Sequence, residues 1–440
     1  MVASPDTKTL TTKQARPSRF GVRSPYRTSV ATSMRPERLA RLLQAADEGD
    51  TDAYFTLAGE IEERDTHYDS VLRSRKLAVS GEQPNVRAAS DRRIDQKVAD
   101  ACRTLVAAPE FEGLVFDLLD GLGKGISLVE IDWQTEAERW TPKSYTWRPQ
   151  RFFTWDVETL SIPRVLTDAS PSEGEELAPW KWAVHTPKLR SGPAFRGGLA
   201  RAAITIWMLK SYTLRDWMAF LEVFGLPIRV GRYPASATPD QIRTMQQAVA
   251  DIASDAGCAI PESMKIDFVE PGSRTGGEKL FRGTAEFWNA ELSKLVLGQT
   301  MTTEDGSSLG QAVVHERKEL MINRADARAV AATITRDVLT PFVRLNFGDT
   351  VEVPALFFEI RSVAEQKAFM ENVTGFVAMG GEVEQSVVRD KLGLPDPPKT
   401  VEGQDPPKLL RAAARPNPGE SSTSTPVKDG GESAPNEGGE

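Results

Sequence analysis

Apolar positions recurring three and four residues apart mark the first regular stretch of the chain. Leu39, Leu42, Leu43 and Ala46 predict a helix from Pro36. Asp52 reads as the cap of a second helix running through Leu57 and Ile61. A third places Tyr68, Val71, Leu72 and Leu77 on one side and Arg73, Arg75 and Lys76 on the other, and Gly81 ends it. Two more, Asp91 to Ala107 and Phe111 to Leu122, are separated near Pro109. Between Ile126 and His185 the pattern changes. Six of the nine tryptophans (Trp133, Trp140, Trp147, Trp155, Trp180, Trp182) are interleaved there with polar residues and prolines, which is strand and turn chemistry. Leu128, Glu130 and Asp132 against Val129, Ile131 and Trp133 give no clean period of two. Phe152, Phe153 and Trp155, ahead of the break at residues 160–163, nevertheless predict a small antiparallel sheet. The tryptophans read as sheet core, with a stacking platform for single strands as the alternative.

From Gly198 to Phe224 the chain has no proline and no glycine after its first residue, so it predicts a helix about 40 Å long at roughly 1.5 Å per residue. That helix is apolar nearly all round and needs cover on several sides, which neighbouring subunits can supply. Gly225 and Pro227 end it. Residues 228–269 then read strand, helix, strand: Ile228 to Val230, a helix from Thr238 to Ala253 with Pro239 in its first turn, and Lys265 to Val269. After a break at Gly272, Gly276 and Gly277, a further helix is predicted over about Thr284 to Leu297. The tract Gly298 to Gly310 has no apolar periodicity and is a polar loop. A very long helix follows to about Leu345, with Val313, Leu320, Ala327 and Ile334 seven apart, and Pro341 is expected to bend or break it. Val363 to Leu394 gives two short helices split at Gly380 and Gly381. The opening 35 residues read as a flexible basic arm, and the Pro, Gly, Ser and Glu content beyond about Arg415 reads as a disordered tail.

The charge is divided unevenly. Up to Arg41, nine Lys or Arg face only Asp6 and Glu37, a balance of +7, so the remainder carries −15 within a net −8. An acidic body argues against a protein that grips duplex DNA tightly, because phosphate contacts supply most of that affinity. Two cysteines, Cys102 and Cys258, exclude a disulfide framework and fit a reducing compartment. His67, His185 and His315 stand far apart without H-E-x-x-H or C-x-x-C context, so no metal site and no cofactor is expected. Gly121-Leu122-Gly123-Lys124-Gly125-Ile126-Ser127 suggests a phosphate loop superficially. Its spacing is wrong, and it precedes a strand where such a loop precedes a helix, so it reads as a turn. The same isolation of the three histidines gives no local support for a Ser-His-Asp or Cys-His arrangement. The opening residues lack a secretory signal. Arg201, Lys210, Arg215, Asp216 and Glu222 interrupt the long apolar helix, each costing about 2.5 to 3.5 kcal/mol at a bilayer centre, so it reads as buried in protein.

Several stretches together resemble the family of Mu-like phage portal proteins: Glu63 to Leu72 and on to Gly81, Gly125 to Trp133, and Pro149 to Phe153. Others are Lys210-Ser211-Tyr212, Asp216-Trp217, Phe220, Glu222 to Pro227, Gly231-Arg232-Tyr233, Ser293-Lys294, Leu297 to Thr300 and Ser308-Leu309-Gly310. Their order and spacing, over about residues 35–400, carry the resemblance. It implies a mainly helical α+β portal fold whose subunits close into a dodecameric ring around a DNA channel. In that frame residues 36–197 are the wing, 198–225 the first stem helix, 226–271 a clip-like α/β insert and 272–297 the second stem helix. Residues 298–310 are a tunnel loop facing DNA through Thr300, Thr302, Thr303, Glu304, Asp305, Ser307 and Ser308. Residues 311–361 form a long helix returning to the wing, 362–412 crown-like helices, and 413–440 a tail. Trp207, Lys210, Tyr212, Asp216, Trp217, Phe220 and Phe224 are expected on the subunit-packing stem helix. The implied role is mechanical, without enzymatic chemistry. The ring sits at the portal vertex of the virion capsid and is assembled in the host bacterial cytoplasm. Its expected partners are a terminase large subunit, major capsid and scaffold proteins, neck and tail connectors and passing duplex DNA, with no membrane. Two rival readings stand beside it: a metal-dependent nuclease using Glu304 and Asp305, and a monomeric nucleic-acid-binding adaptor using the basic arm and the tryptophans.

Overall fold

Capping chemistry and hydrophobic spacing position most elements, and side chains far apart in sequence fix the rest. A computed structural model describes residues 6–25, 28–136, 138–224, 228–251, 265–269, 274–300, 309–383 and 388–389. The chain divides into two units, Met1–Ser362 and Val363–Glu440.

The first unit opens with a short helix α1 (Thr7–Thr11), then α2 (Pro36–Asp47), α3 (Asp52–Arg64) and α4 (Thr66–Ser80). Proline in the first turn starts α2. The cap of α3 is Thr51, one residue before the expected Asp52. Asp65 caps α4, its carboxylate accepting from the amides of His67 and Tyr68. The face assigned to α4 needs correction. Leu77 is exposed, whereas Arg75 and Lys76 are buried, because acidic partners from elsewhere meet them inside the fold.

Next come β1 (Pro84–Arg87), α5 (Arg93–Val106), α6 (Glu110–Leu118), a single turn α7 (Gly121–Lys124), β2 (Ser127–Glu136), β3 (Arg139–Arg148), β4 (Phe153–Trp155), β5 (Pro163–Val165), β6 (Glu175–Glu176) and β7 (Trp182–His185). They form two antiparallel three-stranded sheets, ordered β3-β2-β7 and β4-β5-β6. The first seven residues of β2 are buried on both faces, which explains the missing period of two. Trp133, Trp155 and Trp182 are core residues. Their indole N–H groups donate within the chain, to the Trp180 carbonyl, Thr51 and Gln14, so they are sheet core and not an open stacking platform. The glycine-rich turn is packed: Gly125 sits at φ +89, and a side chain there would collide with the Ala194 carbonyl.

The segment expected as a flexible arm is docked in its described part. Leu10 and Ala15 are fully buried. Glu130 accepts the amides of Gln14 and Ala15, Lys181 donates to the Leu10 carbonyl at 2.8 Å, and Glu60 accepts from Val30 and Ala31. These partners are more than a hundred positions away or on another helix, which no local pattern shows.

The rest of the unit comprises α8 (Ala194–Gly197), α9 (Ala200–Phe224), β8 (Ile228–Arg232), α10 (Pro239–Asp251), β9 (Lys265–Val269), α11 (Arg274–Leu297), α12 (Leu309–Ile334), α13 (Thr340–Phe347) and β10 (Ala355–Phe358). β8 pairs with β9, and β10 pairs with β1, both antiparallel. Helix α11 begins at Arg274 and passes through Gly276 and Gly277, where a break was expected, and on through Gly283. Glycine costs only about 1 kcal/mol in a helix interior, which packing along α9 outweighs. The long helix does not break at Pro341. A π turn over Thr335–Leu339 links α12 to α13, placing Pro341 at the start of α13. Thr340 Oγ1 donates to the Thr335 carbonyl at 2.7 Å there. In the second unit α14 spans Val363–Ala378, with Gly380 at φ +91 after it. The expected second helix there is described only at residues 388–389, and the tail lies outside the described residues.

Candidate functional site

Two long helices carry apolar side chains that the described residues leave uncovered. Helices α9 and α11 form an antiparallel hairpin. At its base Lys210 of α9 pairs with Asp65 at 2.8 Å, and the His67 ring meets Ser293 of α11 at 2.8 Å. Tyr212 donates to the Met34 carbonyl at 2.7 Å. Arg75 grips Asp326 of α12 through two N–H groups and reaches the Val296 carbonyl in the last turn of α11 at 2.6 Å. Further along, Trp217 stacks on Phe281 at 6.4 Å between centroids and Phe220 tilts against the same ring at 5.5 Å.

Beyond this fastening the cover gives out. On α9 Leu214, Met218 and Leu221 are exposed, Met218 by 51%. On α11 Leu280 and Phe287 are exposed, Leu280 by 68%. An exposed large apolar patch on a chain with an otherwise well-filled core marks a surface built to meet another surface.

Of the anticipated packing residues, Trp207 is buried and Lys210, Tyr212, Trp217 and Phe220 bind groups of their own chain. Asp216 is exposed and pairs with Arg215. The side chain of Phe224 lies outside the described residues. The outward set Leu214, Met218 and Leu221 was not singled out, although its i, i+4, i+7 spacing was there to read. Of the anticipated loop residues only Thr300 is described. Thr302, Thr303, Glu304, Asp305, Ser307 and Ser308 lie outside the described residues.

Two clusters look chemical and are structural in their bonding. Asp120 is buried between Lys124 at 2.6 Å and Lys76 at 3.2 Å, and also accepts from Gln150 at 2.6 Å and Trp147 at 3.2 Å. Burial opposes its charge, but the two ammonium groups prevail and hold its carboxyl well below the usual range. Glu62 lies beside both lysines, and burial pushes it up. The ammonium of the phosphate-loop-like turn, Lys124, is therefore committed to carboxylates. In the second cluster His67 and Ser293 resemble a nucleophile and base. Ser293 is buried, however, and the Asp65 carboxylate serves Lys210 and the α4 amides. Burial, then the Lys210 charge, pulls His67 down.

His185 is buried against Thr333 at 2.9 Å, and burial lowers it to about 4. Burial raises the Cys102 thiol to about 12. Cys258 and the His315 side chain lie outside the described residues. Among the described residues no three His, Cys, Asp or Glu side chains gather as a metal site, and no helix is long and apolar enough to cross a membrane.

With that geometry established, comparison with known proteins gives consistent matches. A family model for the portal protein of Mu bacteriophage matches residues 55–394. The portal protein of Escherichia phage Mu is 34% identical over 376 residues, covering 83% of this chain and 72% of that protein. Mu-like prophage FluMu protein gp29 of Haemophilus influenzae is 31% identical over 382 residues, covering 84% and 72%. Among solved structures, a chain in the virion of a native gene transfer agent particle is similar with a TM-score of 0.46 and 11% identity, over 82% of this chain and 94% of that one.

Proposed function

The chain belongs to the family of Mu bacteriophage portal proteins, and from that premise we propose that it closes into a dodecameric ring at one capsid vertex, the channel for DNA entry and exit. The observation that carries the ring is the hairpin of α9 and α11, whose far half exposes Leu214, Met218, Leu221, Leu280 and Phe287. Copies related by rotation supply the missing cover, since head-to-tail contacts that close generate rings. This hairpin serves as the stem, β8, α10 and β9 as the clip, and residues 298–310 as the channel loop. Residues 362–412 belong to the crown.

The acidic balance of the chain beyond Arg41, −15, suits a conduit: DNA passes without the phosphate contacts that would hold it. The ring docks a terminase that hydrolyses ATP elsewhere, and later the neck and tail, within capsid and scaffold. It is assembled in the bacterial cytoplasm and carried in the virion. No side chain of this chain needs to make or break a covalent bond. The buried charges around Asp120 hold the fold, and the nuclease reading rests on Glu304 and Asp305, outside the described residues.

The functional test is genetic and biochemical. Deleting the coding sequence from an inducible phage genome is expected to give heads without DNA, restored by the chain supplied in trans. Purified protein with duplex DNA and magnesium is expected to leave the DNA intact. DNA-filled heads in the deletion, or metal-dependent cleavage lost in Glu304→Ala, would contradict the proposal.

A further inference from the structure

A groove of about 600 Å³ runs between α12 and the strand β10. Along one edge β10 pairs with β1, in the register Pro84 with Phe358, Asn85 with Phe357, Val86 with Leu356 and Arg87 with Ala355. Pro84 has no N–H to give, and the Val86 carbonyl accepts from Arg103 Nε at 3.1 Å. The pairs that exchange backbone hydrogen bonds are therefore Asn85 with Phe357 and Arg87 with Ala355. Alternation then turns the N–H and C=O groups of Leu356 and Phe358 to the opposite edge, where they have no partner among the described residues. Such an edge is a ready template for one more strand.

The walls of the groove suit a strand that brings apolar side chains. Ala331 and Ala332 of α12 are small and leave room beside the edge, and half-buried Phe357 and Phe358 line the other side. The wall continues through Thr335 and Arg336 of the π turn to Thr340. Turns of that kind inside α-helices appear frequently at functional sites. The rim is basic. Arg328 is exposed and meets no carboxylate among the described residues, and exposed Arg87 stands over the Phe357 ring at 5.8 Å. Arg336 is committed to Asp337 and to the Val184 carbonyl at 2.6 Å. No carboxylate lines the groove among the described residues. On a chain whose balance beyond Arg41 is −15, two unpaired guanidinium groups beside an apolar slot select an acidic partner with apolar side chains. Duplex DNA is acidic too, but its outer surface offers nothing apolar to Phe357 and Phe358 and no backbone donors and acceptors in strand order for the free edge.

We propose that the groove takes an extended acidic peptide of a partner protein, added as a third strand to β10. Its backbone pairs with Leu356 and Phe358, its apolar side chains fill the space beside Ala332, and its carboxylates meet Arg328 and Arg87. This is strand addition, in which main-chain hydrogen bonds give affinity and the side chains give specificity. The inference does not rest on the ring reading.

Fluorescence anisotropy with the full chain tests it. The probe is a labelled peptide of about eight residues, alternating glutamate with valine, long enough at about 3.3 Å per residue to run past both ends of β10. Saturable binding is expected. A peptide alternating lysine with valine should bind at least about tenfold more weakly. The glutamate-valine peptide with alternate backbone nitrogens methylated keeps its charge and loses its donors, and it too should weaken by about tenfold or more. Arg328→Glu, at an exposed position, and Ala332→Trp, which fills the groove, are each expected to cost about tenfold in affinity while the melting temperature holds, as it does for surface changes. No binding by the unaltered chain would leave the arginines as guards of a bare edge and overturn the proposal. Binding that both substitutions and the methylation leave unchanged lies elsewhere on the protein and would overturn it as well. A short DNA duplex bound more tightly than the peptide, and lost with Arg328→Glu, would make the groove a phosphate surface. A change of assembly state in Ala332→Trp would make it a contact between copies. Either result would overturn the peptide reading.

Discussion

The body around Asp120 and the far half of the α9–α11 hairpin handle polarity in opposite ways. The body buries charge: Lys76, Asp120 and Lys124 are nearly removed from solvent, and each has its partner inside the same chain. The hairpin exposes apolar side chains that the described residues do not cover. A buried ion network tolerates no missing member, since an orphaned charge is costly. An uncovered apolar stripe stays soluble only where something else meets it. In the proposed ring one region is completed by folding and the other by assembly, so substitutions in the two should fail in different experiments.

The largest effect is expected on the hairpin. Met218→Asp with Leu221→Asp should abolish assembly, because the same contact is lost at every junction of the ring. The isolated chain should keep its free energy of unfolding in urea to within about 0.5 kcal/mol, as surface changes do. Light scattering and urea unfolding on one preparation check both halves, and a large loss of stability would erase the distinction between the regions.

In the body, Asp120→Ala leaves Lys76 and Lys124 buried beside Glu62 alone. It should cost about 3 to 5 kcal/mol in urea unfolding of the chain.

His185 gives a somewhat smaller effect with a definite sign. Its folded value of about 4 lies below its ordinary 6.5. The neutral ring's contribution is therefore complete above about pH 6.5 and is lost as pH falls toward 4, by roughly 3 kcal/mol at 1.36 kcal/mol per unit. Asp117 works the other way. Burial and then the Asp120 charge raise it to about 6, so its share is lost as pH rises from about 3.8 through 6. His185→Asn should flatten the decline between pH 6.5 and 4, measured by unfolding at stepped pH.

The smallest effect belongs to the exposed pair Arg215 and Asp216. Arg215→Ala should change monomer stability by less than about 0.5 kcal/mol.

How far the sequence could be read follows the same division. The long helix α9 was legible because its residues carry no breaker, and the strand, helix, strand order of β8, α10 and β9 because each element is local. The packing of α4 was not, because Arg75 meets Asp326 across 251 positions and Lys76 meets Asp120 across 44. A helical wheel assigns such charges to solvent. The docked N-terminal segment was missed for a related reason: Glu130 and Lys181 hold its backbone, and backbone leaves no side-chain pattern. In the hairpin the partners inside the chain were the part that could not be read. The large residues Trp217, Phe220 and Tyr212 drew attention as contacts between copies, yet they are used within the chain. Plain Leu214, Met218 and Leu221 face outward. Size marks a residue that must be buried, and only the position of its partner says by which chain.

The most direct test of the ring is the mass and shape of the purified full chain, by light scattering with negative-stain imaging at moderate salt. Rings with a central hole and a mass many times 48.3 kDa are predicted. A particle that stays at 48.3 kDa at every concentration, with Met218 and Leu280 still open to solvent, would contradict the account.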